Sequence, residues 1–360
     1  MTARICLNMI VRNEAALIER CCRSFVGSID HYLIADTGST DDTVQRIRSV
    51  FDDAGIVGEV VTTTFVDFEQ ARNEALLAAQ QSPMEFDYIA LCDADMELVV
   101  DDPEWKASLT EDAYTVMQRT PNGLSYPNVR LVHRDVPARY QGATHEFLDL
   151  AGTPRHPCTG IRFIDHANGA NRATKYQRDI QLLTAALELE PENPRSVFYL
   201  ANSHFDRGDT MAALHWYRRR LTMAGYEDEK FISMYRIGLG FERLGDEALL
   251  LHQMMLTFET YPRRAEPMHA IALRAQRQNH HRLAYEFARM AADLAMPTDG
   301  LFVEAEVYEW RLDDIMAVSL FWMGRTQEAL ALNEELLDTA PASEHPRILA
   351  NLEHCRAKAG

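Results

Sequence analysis

The chain has 360 residues, enough for two domains that each bury a core of their own. With 47% hydrophobic and 25% charged residues it has the composition of an ordinary globular protein. A net charge of -18 excludes general binding to nucleic-acid backbones, which needs clustered Lys and Arg.

Six cysteines form no Cys-x-x-Cys pair, and Cys6 and Cys92 sit in apolar runs where a thiol acts as a small hydrophobe. That usage fits a reducing compartment. The chain opens directly on a strand pattern without a leader, and no run approaches the roughly 20 apolar residues of a membrane span. A cytoplasmic protein is expected.

Ile5 to Val11 reads as an apolar strand, followed by Arg12-Asn13-Glu14 and a helical pattern with Leu17, Ile18 and Cys21 on one face. His31 to Ala35 is a second strand, running into Asp36-Thr37-Gly38-Ser39-Thr40-Asp41-Asp42-Thr43. Ser39 or Thr40 is the expected cap of a helix through Val44, Ile47 and Val50, with two acids in its first turn. A third strand near Val57 to Thr63 leads through Phe65-Val66-Asp67-Phe68 to a helix carrying Glu69, Arg72, Asn73, Leu76 and Leu77. Then an apolar run from Tyr88 ends in Cys92-Asp93-Ala94-Asp95. Strand alternation sends Asp93 and Asp95 to one side, where both can address one cation; an Asp-rich turn closing the strand is the plainer alternative.

Strand and helix alternating in units of about 30 residues predict an α/β fold with a mostly parallel, doubly wound sheet. Right-handed crossovers bring the carboxyl ends of its strands to one edge. Asn13, Asp36, Arg72 and the Asp93/Asp95 pair therefore converge on one crevice, where open α/β sheets bind ligands. Asp36 can meet a nucleobase N–H or ribose hydroxyls, or cap the next helix. Arg72 can meet a base or a phosphate, or sit in a surface ion pair. With neither a Gly-x-Gly-x-x-Gly run nor a P-loop, what remains is a nucleoside diphosphate held through a metal.

Further on, Ala113 to Arg119 and Ser125 to Val132 read as antiparallel strands joined by Thr120-Pro121-Asn122-Gly123. They are expected to cover the crevice. Gly160 to Asp165 is another apolar strand, ending in His166.

Asn13-Glu14, Asp36 to Asp41, Ala71-Arg72-Asn73 and Asp93-Ala94-Asp95, in this order, resemble the family 2 glycosyltransferases of GT-A fold. The resemblance spans about the first 170 residues. It implies a nucleotide-sugar donor, with Asn13 and Glu14 at its crevice and Asp36 and Arg72 on the nucleoside. Asp95 would ligate a divalent cation bridging the phosphates, with Asp93 nearer the ribose or the water shell of the metal. His166 would close the site as a third ligand, and an imidazole among oxygens suits Mn²⁺ better than Mg²⁺. The Tyr-Gly often found after that histidine is replaced by Ala167-Asn168-Gly169. Lys175 and Arg178 reach the leaving diphosphate, or are exposed charges at a helix start. His145-Glu146 is similar to a pair in the tandem-repeat branch of the family. Glu146 is then the candidate base that takes the proton of the acceptor in an inverting transfer, with His145 orienting it or the acceptor; a solvated strand pair is the plainer alternative.

From Tyr176 onward the pattern is helical. Ala213, Ala248, Ala284 and Ala329 recur at spacings of 35, 36 and 45. This resembles tetratricopeptide (TPR) repeats, paired helices in which each unit buries its face on the next. Leu249, Leu250 and Met254 read as core, and the last unit is lengthened around Asp299 to Trp310. The domains expected are residues 1–172, of GT-A type, and 173–360, an all-α repeat array.

The reading is a metal-dependent, inverting glycosyltransferase with a UDP-sugar favoured as donor. Its array would hold a peptide or protein acceptor, or pair two subunits as a homodimer. The alternative is a non-catalytic adaptor with a vestigial transferase domain.

Overall fold

The computed structural model describes residues 2–120, 125–166, 175–298 and 300–359. The chain divides into two compact units, Met1–Leu189 and Glu190–Gly360, so the helix Lys175–Leu189 belongs to the first.

In the first unit, β1 (Ile5–Val11), α1 (Ile18–Phe25), β2 (His31–Asp36), α2 (Thr43–Asp53), β3 (Val57–Thr62), α3 (Phe68–Gln81) and β4 (Tyr88–Leu91) alternate as the sequence predicts. The second part adds β5 (Met96–Val100), β6 (Ala113–Arg119), β7 (Ser125–His133), β8 (Arg139–Gln141), β9 (Phe147–Asp149), β10 (His156–Asp165) and α4 (Lys175–Leu189). Eight strands form one sheet in the order β3-β2-β1-β4-β7-β6-β10-β5, and β8 pairs with β9 in a small sheet of its own. The pairs β1–β2, β1–β4, β2–β3 and β6–β10 are parallel. The strands β6 and β7 pair antiparallel, as expected, but they continue the main sheet instead of lying over the crevice. The turn expected between them falls at 121–124, outside the described residues.

Successive residues of β1 are buried on opposite faces. Ile5, Leu7 and Met9 pack with Ile18, Phe25, Ile47 and Phe51 of α1 and α2, while Cys6 packs with Leu76 and Ala79 of α3. Burial on both sides is why this strand reads as a continuous apolar run. Its one polar interruption, Asn8, donates from Nδ2 to the carbonyls of Leu33 and Ala75 at 2.9 Å each, fastening β1 to β2 and α3.

The second unit consists of helix pairs: α5 (Pro194–Arg207) with α6 (Thr210–Leu221), α7 (Glu227–Arg243) with α8 (Glu247–Thr260), α9 (Glu266–Arg277) with α10 (His281–Arg289), and α11 (Leu312–Trp322) with α12 (Thr326–Thr339), closed by α13 (His345–Ala359). The lengthened segment carries a π-helical turn, Val307–Arg311; Asp299 lies outside the described residues. Within each pair the chain turns on a left-handed residue: Gly208, Gly245, Asn279 and Gly324. Five residues later stands a buried side chain, Ala213, Leu250, Ala284 or Ala329, each at most 3% exposed. Ala248, expected in that series, is exposed, and Leu250 takes its place. The alanine spacing is therefore two residues out in that repeat, because the turn and not the alanine sets the phase. Leu250 and Met254 are core as expected, whereas Leu249 is 42% exposed. Among the described residues no helix is long and apolar enough to cross a membrane.

Candidate functional site

Parallel register sets the place of the site. Val11 pairs with Asp36 and Asp36 with Thr62, so β1, β2 and β3 end level, and β4 follows them along the same edge. The loops beyond these ends enclose a cavity of about 700 Å³. Asn13, Glu14, Arg72, Asp93, Asp95, Lys175 and Arg178 all line it. A smaller cavity of about 210 Å³ is lined by Glu146, Tyr140, Arg130 and Arg155, and shares Arg72 and Asp93 with the first.

Asp93 and Asp95 reach the large cavity by a different route from strand alternation. β4 stops at Leu91, and residues 93–96 form a turn closed by the Met96 N–H on the Asp93 carbonyl at 3.0 Å. After that turn β5 pairs antiparallel with β10, a strand that the Asp-x-Asp reading hides.

Arg72 is the centre of the polar network. Its Nη2 donates to Asp93 Oδ1 and its Nε to Glu146 Oε1, each at 2.5 Å, and the guanidinium lies over the Tyr140 ring. The second Asp93 oxygen accepts from Arg130 Nη1 at 3.4 Å. Arg130 Nη2 donates to Gln118 Oε1 at 2.8 Å, and Gln118 Nε2 to Asp165 Oδ2 at 3.0 Å. One chain of hydrogen bonds thus runs from Glu146 to Asp165, which lines the large cavity. Burial pushes the Asp93 carboxyl up, but the Arg72 and Arg130 guanidiniums outweigh it and hold the group at about 2. Burial likewise works against the Arg72 charge, and Asp93 and Glu146 more than restore it.

The other expected site residues are placed as follows. Asp36 is buried and accepts the Ser39 N–H on both oxygens, at 3.1 and 3.2 Å, so it folds its own loop. Ser39 and Thr40 do not cap α2, which begins only at Thr43. Ser39 Oγ accepts the Asn13 N–H at 3.0 Å, and the Thr40 N–H donates to Asn13 Oδ1 at 2.8 Å. Asn13, left-handed at φ 55°, therefore clamps the β1 and β2 loops together. His166 donates its backbone N–H to the Asp95 carbonyl at 3.2 Å, but its ring is engaged by Glu97 at 2.9 Å and does not line the cavity. His145 Nε2 stands 3.9 Å from Asp179 Oδ2, the same Asp179 that holds Arg178 through its other oxygen.

Residues not singled out from the sequence also line the large cavity: Arg12, Phe65, Phe68 and Asp165. Each adjoins a predicted feature, and Asp165 directly precedes His166. Among the described residues no three His, Cys, Asp or Glu side chains are grouped to hold a metal ion. Asp95 and Asp165 nevertheless offer hard oxygen donors on the wall of the cavity. A divalent cation of the Mg²⁺ or Mn²⁺ kind characteristically takes only one or two protein carboxylates and completes its shell with phosphate and water.

Residues 6–115 match the model of the family "Glycosyl transferase family 2", so the first unit carries a glycosyltransferase family 2 domain, joined in this chain to a helical repeat array. A TPR repeat-containing protein of Synechococcus elongatus is 30% identical over 266 residues, 68% of this chain and 63% of that protein. The SPbeta prophage-derived glycosyltransferase SunS of Bacillus subtilis is 26% identical over 217 residues, 55% of this chain and 48% of that protein. The chain thus spans less than two thirds of the length of either relative. Among solved structures, MamA of Desulfovibrio magneticus RS-1 aligns with 47% of this chain and 87% of its own, at 14% identity and a TM-score of 0.37.

Proposed function

We propose that the protein is a glycosyltransferase that moves a sugar from a nucleotide-sugar, with a UDP-sugar favoured, to an acceptor with inversion. The observation that carries this reading is the pair of adjoining cavities. One is lined by Asp93 and Asp95 together with Arg12, Lys175 and Arg178; the other is lined by Glu146; Arg72 and Asp93 form their common wall.

In this reading the diphosphate lies in the large cavity, where Arg12, Lys175 and Arg178 offset its charge. A divalent cation, Mn²⁺ or Mg²⁺, would be held by Asp95, with Asp93 and Asp165 on the same cavity wall, and would neutralise charge on the leaving phosphate. The acceptor enters from the side of the small cavity. Its nucleophile bonds to the anomeric carbon as the bond from that carbon to the phosphate oxygen breaks. The bonding pair leaves with the nucleoside diphosphate, and the proton of the acceptor passes to the Glu146 carboxylate. Arg72 positions Glu146 by holding one of its oxygens. The repeat array would present a peptide or protein acceptor, or pair two copies of the chain.

The test is turnover of UDP-, GDP- and dTDP-sugars by the full chain, with Mn²⁺, with Mg²⁺ and with chelator. Slow hydrolysis of one donor, dependent on the cation and lost in Asp95→Ala, is expected. If no donor binds or turns over and Asp95→Ala changes nothing, the chain is an adaptor, a reading favoured by the ion-pairing that already satisfies Asp93 and Glu146.

A further inference from the structure

Both side chains that family resemblance gives to the nucleoside are engaged within the chain: Asp36 by the Ser39 N–H, Arg72 by Asp93 and Glu146. What the large cavity offers beside them is aromatic. Phe65 and Phe68, both half-buried, line it with Ile10, Val11 and Thr37. Their ring centroids are 5.2 Å apart at an interplanar angle of 80°. Between them Val66 is 63% exposed, so this loop does not bury every apolar side chain it carries.

Phe68 is held in place from several sides. The Phe68 N–H donates to the Ala143 carbonyl at 3.1 Å, and Asp67 caps α3 by accepting the Gln70 N–H at 2.7 Å. The Arg178 guanidinium lies 4.8 Å from the Phe68 centroid and is itself fixed by Asp179 at 3.0 and 3.2 Å. An edge-to-face pair at a cavity wall presents one ring face on which a third ring can stack, with the edge of the other ring beside it, and stacking needs no particular pattern of donors and acceptors on that third ring.

Resting on the nucleotide-sugar reading, we propose that Phe65 and Phe68 form the platform on which the nucleobase stacks. The base is then recognised by its face, and the charged end of the same cavity takes the diphosphate.

Calorimetry on the full chain with UDP, GDP and pyrophosphate tests this, comparing wild type with Phe65→Ala, Phe68→Ala and Phe68→Trp. The alanine variants are expected to raise Kd for UDP and GDP alike by at least about fivefold, with pyrophosphate affinity unchanged and Phe68→Trp near wild type. Preserved pyrophosphate binding and an unchanged melting temperature identify a folded variant, and Phe65→Ala serves where Phe68→Ala melts early. If wild type binds UDP and both alanine variants bind it equally well, the platform is wrong and the donor reading stands. A loss confined to one base also overturns it, since it would mean recognition by the edge. If wild type binds neither nucleoside diphosphate, the donor reading itself fails.

Discussion

The Arg72 guanidinium donates to Asp93 at 2.5 Å while its Nε holds Glu146, so one side chain from α3 joins the turn after β4 to the loop before β9. Only a planar fork of donors can span two carboxylates in this way. Arg72→Ala leaves Asp93 with Arg130 alone and is expected to cost about 3–5 kcal/mol, as for breaking a buried ion pair. Arg72→Lys keeps the charge but loses one of the two contacts, with an expected cost of roughly 1–3 kcal/mol. Urea unfolding of the two variants checks the order.

Asp93 adds a dependence on pH. Its folded value of about 2 lies below the ordinary 3.8, so its contribution is fully present above about pH 4 and is lost as pH falls through 2. The difference amounts to about 2 kcal/mol. Asp93→Asn should be less stable than wild type by a constant amount above pH 4, with the gap closing below it. Urea midpoints measured from pH 7 down to pH 2.5 would show whether it does.

Much of this was legible in the sequence because β1 to β4 bury both faces and their loops carry the polar motifs. The edge where Asn13, Arg72, Asp93 and Asp95 meet follows from parallel order alone. Which way each side chain turns does not follow from that order. Asp36 sits on the expected loop, yet its carboxylate closes that loop by accepting the Ser39 N–H three residues on. His166 ends the expected strand, but antiparallel pairing with β5 sets Glu97 beside it. That pairing joins segments far apart in the chain, Glu97 opposite Ile164, which local sequence pattern does not reveal. In the array, the alanine period was legible and its phase was not, because the phase is set by the left-handed turns at Gly208, Gly245, Asn279 and Gly324.

Glu146→Gln preserves the shape of the side chain and an acceptor for the Arg72 Nε–H, and removes its capacity to take a proton. Transfer to the acceptor is expected to fall by about 10²–10⁴-fold. Donor affinity should stay near wild type, because Glu146 faces the small cavity and not the large one. Single-turnover transfer beside equilibrium binding of the donor separates the two. A loss of binding equal to the loss of rate would remove Glu146 from the role of base.

Asn13 combines a left-handed backbone with a side chain that accepts the Thr40 N–H. Asn13→Gly keeps the backbone unstrained and loses the acceptor, an expected cost of about 1 kcal/mol. Asn13→Ala loses the acceptor and also pays for φ 55°, roughly 1–2 kcal/mol more. Melting temperatures should therefore rank wild type above Asn13→Gly above Asn13→Ala. Identical melting temperatures would mean that the clamp between the β1 and β2 loops carries no stability.

In the repeat array, His269 on α9 is 5% exposed and is held down to about 4, first by burial, then by Arg311 and Arg277, with Glu266 opposing. The ordinary value is 6.5, so between pH 6.5 and pH 4 the unfolded chain holds a proton that the folded chain excludes. Stability consequently rises with pH across that window, by about 3 kcal/mol from this residue alone, and is lost again on acidification. His269→Leu cannot be protonated and should remove that slope while leaving the titration of Asp93, at lower pH, in place. Unfolding free energies of both proteins at pH 7.5, 6, 5 and 4 decide the matter: parallel curves would mean that His269 is not the group whose exclusion of a proton sets the acid sensitivity of the array.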